Sequence, residues 1–61
     1  MSEKVRADEL SLGDVLITTH GREKVIALCA MPDTVELRTS LSETLQRRHS
    51  LAPDQQMEVQ R

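Results

Sequence analysis

Apolar and polar positions alternate along this chain in runs of four to eight residues, broken by glycine, proline and aspartate. That period is the signature of half-buried β-strands. The densest such stretch is Leu10–Gly21 with Lys24–Leu28. Gly13-Asp14 forms a turn in which glycine supplies a backbone conformation that other residues adopt poorly, and Asp14 can accept from nearby N–H groups. Asp14–Thr19 then reads as a strand, with Val15 and Ile17 on one face and Leu16 and Thr18 on the other. Thr19-His20-Gly21-Arg22 predicts a tight reversal with Gly21 at positive φ. In the returning run Lys24–Met31, Val25, Ala27, Cys29 and Met31 alternate with Ile26, Leu28 and Ala30. A strand apolar on both faces is central or strongly curved, as in a small closed barrel. A helix could also use this run, but its β-branched pair and flanking turns favour strand.

On either side the pattern is shorter. Met1–Lys4 reads as frayed, Val5 begins a strand or extended arm, and Ala7–Leu10 suits a single helical turn. Leu10 and Leu12 are expected to fold back over the sheet. After the Pro32-Asp33 turn, Thr34–Thr39 places Val35 and Leu37 inward and Glu36 and Arg38 towards solvent. Ser40–Glu43 is turn-like. Residues 41–51 fit two elements. As a helix, Ser40 and Glu43 resemble a capping box, and Leu41, Leu45 and Arg48 share a side. As a strand, Leu45, Arg47, His49 and Leu51 share one face, and Thr44, Gln46, Arg48 and Ser50 the other. The neighbouring strands favour the second. Pro53-Asp54 is a turn, and Gln55–Arg61 is a closing strand with Met57 and Val59 on one face. The fold class expected is all-β: one domain, a small antiparallel SH3-like barrel of about five short strands.

Composition narrows the function more by exclusion than by selection. A 61-residue chain buries only about 60% of the surface its unfolded form exposes. A partner or self-association is therefore expected to contribute stability. A lone cysteine cannot form an internal disulfide, which points to a reducing, cytoplasmic setting. No apolar run is long enough to span a membrane, and the polar start does not resemble a signal peptide. The net charge of −2 and the absence of Phe, Tyr and Trp weigh against generic nucleic-acid binding, which uses a cationic surplus and stacking platforms. A local basic patch is still compatible with these totals.

The run Val5–Leu10 through Gly13-Asp14-Val15-Leu16, then Val25 and Leu28, together with the late Pro53-Asp54 turn before Met57-Glu58-Val59, resembles short SH3-like β-barrel proteins of actinobacteria and their phages. The resemblance implies the barrel fold and no activity. Its Gly-Asp turn is also locally similar to that of Hint domains. The nucleophile at the domain start and the Thr-x-x-His block of those domains are missing here.

Candidate chemistry is sparse. Cys29, between Leu28 and Ala30, is expected to be a packed and inert thiol. His20 and His49 lack the ligand spacing of a metal site, so neither metal nor cofactor is expected. Asp8, Glu9 and Asp14 suit turn and helix-start capping better than acid–base work, since no aromatic residue is present to line a pocket. The best surface candidate is a basic stripe of Arg38, Arg47, Arg48 and His49, with Arg22 nearby, for phosphate or an acidic protein partner. The competing view is a solvated strand face balanced by Glu36 and Glu43. The function expected is therefore a non-enzymatic interaction module that binds a protein partner or itself. The alternative is a nucleic-acid-binding accessory protein using the Arg47-Arg48 region.

Overall fold

The Gly13-Asp14 turn is built from local polar contacts and tied at once to the sheet. Asp14 accepts the Ser11 N–H on its carboxylate at 2.9 Å. Gly13 takes φ +91°, in the region that favours glycine. The Gly13 N–H donates to the Val25 carbonyl at 2.9 Å, and the Val25 N–H donates to the Asp14 carbonyl at 2.8 Å. In this computed structural model, which describes residues 2–60, six strands follow the alternation of the sequence. They are β1 (Ser2–Arg6), β2 (Val15–Thr18), β3 (Gly21–Ala30), β4 (Val35–Ser40), β5 (Gln46–Leu51) and β6 (Gln56–Gln60). A 3-10 turn at Ala7–Glu9 follows β1. Met1 and Arg61, the ends of the expected frayed segment and closing strand, lie outside the described residues.

All six strands form one antiparallel sheet in the order β1-β6-β2-β3-β4-β5. β2 to β5 meander, and β6 returns between β1 and β2. The β2–β3 hairpin pairs Thr18 with Gly21, and Gly21 takes φ +110° as its turn predicts. Residues 46–51 are strand because they complete a six-pair ladder with β4, from Ser40↔Gln46 to Val35↔Leu51. Helix there would leave that β4 edge without backbone partners.

Expectations change at the N-terminus and in the closure of the sheet. Ser2–Lys4 are paired rather than frayed, in a ladder that sets Lys4 opposite Glu58 and Val5 opposite Met57. The resulting β1 is the sixth strand. The sheet is also not closed into a barrel: β1 and β5 are its two edges, and no pairing joins them among the described residues. β6 gives one edge to β1 along five pairs, while its contact with β2 covers only two. No helix among the described residues is long and apolar enough to cross a membrane.

The core gathers Leu16, Val25, Val35, Leu37, Leu51 and Val59 from the inner face, with Ala7 and Leu10 folded over one end. Leu12, expected to join Leu10 there, is exposed instead. Along β3 the inward parity changes. Val25 pairs with Thr39 but Ala27 pairs with Arg38, so Ile26 is an extra, bulged residue. Before the bulge, Glu23 and Val25 point inward. After it, half-buried Leu28 does, and Cys29 falls on the outer face opposite Glu36. Cys29 is thus exposed, not packed.

Candidate functional site

The inner face ends in a polar cluster. Where β2, β3, β4 and β5 pass the end of the apolar core, their inward residues are Thr18, Glu23, Thr39, Arg47 and His49. The Glu23 side chain has 0% exposure. Its Oε2 accepts from the Thr18 hydroxyl and from the Arg47 guanidinium, the latter at 3.0 Å. Its Oε1 accepts from the Thr39 hydroxyl at 2.7 Å and meets His49 Nε2 at 3.0 Å. No buried side-chain polar atom among the described residues lacks a partner.

Burial pushes the Glu23 carboxyl up, because a charge removed from water is disfavoured. Hydrogen bonds from Thr18, Thr39 and His49, with the charge of Arg47, outweigh this and bring its pKa down to about 2. Glu23 is therefore ionised at neutral pH and can only accept. It follows that His49 Nε2 carries a proton, whether the ring is neutral or cationic. The Thr39 hydroxyl also lies 3.3 Å from His49 Nε2. Carboxylate and hydroxyl thus share one ring nitrogen. A catalytic relay needs them on opposite nitrogens. The cluster is arranged to hold one buried negative charge.

The outer face carries the opposite sign. Arg38 and Arg48 are direct cross-strand partners in the β4–β5 ladder. Beside them lies an open groove of about 610 Å³ lined by Ala27, Glu36, Arg38, Arg48 and Ser50, with Leu37 and His49 between them. Neither arginine forms an ion pair with another described residue. Arg22 and Lys24 occupy outward positions of β3 in the same sheet. Glu36 is the one carboxylate on the outward positions of β3, β4 and β5. The chain is acidic in total, yet this face is basic.

The expected stripe of Arg38, Arg47, Arg48 and His49 is therefore two sets on opposite faces. Arg47 and His49 belong to Glu23, while Arg38 and Arg48 belong to the groove. Glu23 itself was not visible as a candidate. The only trace of it is parity: it sits two residues before the apolar Val25, at an inward position of β3.

The other candidates are local. Asp8 pairs with Arg6 at 3.0 Å, Glu9 accepts the Arg6 N–H, and Asp14 caps its turn. His20 is exposed in the β2–β3 turn. Among the described residues no three His, Cys, Asp or Glu side chains gather as a metal site would require. Comparisons with family models, with curated proteins and with solved structures find no match to this chain.

Proposed function

We propose that the protein is a non-enzymatic interaction module that binds an acidic segment of a protein partner on the outer face of β3–β5. The observation that carries this reading is the Arg38–Arg48 pair. Like charges directly opposite on neighbouring strands oppose pairing. An anion seated between them would reverse the sign of that contribution and could be gripped by two planar guanidinium groups. The groove beside the pair is open to such a ligand.

A second reading, a nucleic-acid-binding accessory protein, draws support from Arg22 and Lys24, which extend the basic face. Against it stand Glu36 within the groove and the absence of aromatic residues for base stacking. The finer SH3-like reading of the fold rests on strand order: β2–β5 meander and the last strand returns beside the first of them. An exposed free thiol at Cys29 suits the reducing cytoplasm of a bacterial cell, whether the protein is the bacterium's own or a phage's.

Calorimetric titration with poly-L-glutamate, and separately with a single-stranded oligodeoxynucleotide, tests the proposal. The expected result is polyglutamate binding that weakens as salt is raised and is lost in Arg38→Glu/Arg48→Glu. Absence of polyglutamate binding would overturn it, and markedly tighter oligonucleotide binding would select the second reading.

A further inference from the structure

We infer that the edge of β5 takes up the acidic segment as an added β-strand, with acidic side chains at every second position. This rests on the acidic-partner reading and adds the mode of binding to it. β5 is an edge strand whose ladder bonds run to β4 alone. Gln46–Leu51 make no backbone hydrogen bond to any other described element. The strand contains no proline, and its register with β4 is unbroken over six pairs. It therefore offers a regular row of backbone donors and acceptors for an extended chain.

Side chains fix the chemistry of that chain. On an added strand, alternate residues share the outer face with Gln46, Arg48 and Ser50. An Asp or Glu set opposite Arg48 lies at the end of the Arg38–Arg48 row and supplies the missing counter-charge. The intervening residues lie beside Arg47, His49 and Leu51. Arg47 is already bound to Glu23, so an acid on that side gains little, and small polar or β-branched residues fit better. The preferred segment thus alternates acidic with residues such as Thr or Val.

A second copy of this chain is a poor occupant of the same edge. If two β5 strands pair antiparallel about a two-fold axis, residues sharing a face must oppose each other. Arg48 then faces Arg48, Gln46 or Ser50 of the other copy. With Arg48 opposite Arg48, two Arg38–Arg48 pairs form one row of four cations, and with Arg48 opposite Gln46 or Ser50 the two pairs lie in adjacent rows. In each register the arginines gain like-charge neighbours where an acidic strand supplies attraction.

The test uses capped octapeptides with the full chain. One alternates Glu and Thr, and another carries the same residues as a Glu block followed by a Thr block. Two more are the alternating peptide N-methylated on its Glu amides or on its Thr amides. N-methylation removes donors on one edge of a strand only. The expected result is at least tenfold tighter binding of the alternating peptide than of the block peptide. One methylation phase should abolish binding and the other should retain it. Arg48→Glu, with folding verified by circular dichroism, should weaken binding at least tenfold. Equal affinity for alternating and block peptides, or tolerance of both methylation phases, would overturn strand addition while polyglutamate binding still upheld the acidic-partner reading. A free protein that is dimeric, with amide exchange slowed along β5, would assign the edge to a second copy. An oligodeoxynucleotide that displaces the alternating peptide and protects no β5 amide would also overturn the inference.

Discussion

Glu23 is the residue on which the inner face turns. A carboxylate without solvent contact persists because four side chains satisfy it. Removing one member of a buried, charged set costs about 3–5 kcal/mol, since the others keep their desolvation cost without their partner. Glu23→Ala should show a loss of that order in urea unfolding. The folded pKa near 2 lies below the ordinary value of 4.5. The stabilisation is therefore complete above pH 4.5 and is lost as pH falls towards 2. By linkage it amounts to about 3 kcal/mol, at about 1.4 kcal/mol per unit. Urea unfolding at stepped pH should show this slope in the native chain, and Glu23→Gln should flatten it. Gly13 gives a cleaner backbone effect. A Cβ added there meets no atom within 4 Å, so Gly13→Ala should cost only the positive-φ penalty, about 1 kcal/mol. A D-alanine introduced by synthesis should restore the native stability, because its mirror-image backbone favours that φ.

At the scale of elements, the turns and four of the strands were legible, because Gly13-Asp14, His20-Gly21, Pro32-Asp33 and Pro53-Asp54 separate clear alternations. The bulge at Ile26 was not. Val25 to Ala30 is apolar throughout, so no polar residue marks where the inward parity changes. Unbroken alternation therefore puts Cys29 on the inner face, whereas the bulge turns it outward. Its exposure predicts rapid reaction with a thiol reagent in the folded state, and Cys29→Ala should alter unfolding free energy by no more than about 0.5 kcal/mol. In β5 the difficulty was different. Arg47 and His49 point inward, where pattern reading expects apolar side chains, and only Glu23 on another strand explains why. A polar inward position is legible only once its partner across the sheet is known.

At the scale of the molecule, charge is sorted by face. The buried carboxylate draws Arg47 and His49 into the inner cluster, and Arg38 and Arg48 are left together outside. Two neighbouring arginines of one strand thus have opposite assignments: Arg47 holds the fold and Arg48 faces the partner. The most direct measurement is urea unfolding of Arg47→Ala and Arg48→Ala side by side, with and without poly-L-glutamate. Arg47→Ala should lose about 1–2 kcal/mol, discounted for the partial exposure of the guanidinium, and should still be stabilised by the added polyanion. Arg48→Ala should match the native chain or slightly exceed it, through relief of the Arg38 repulsion, and should gain nothing from polyglutamate. Equal behaviour of the two variants, or a destabilised Arg48→Ala that still responds to polyglutamate, would contradict the division of the faces.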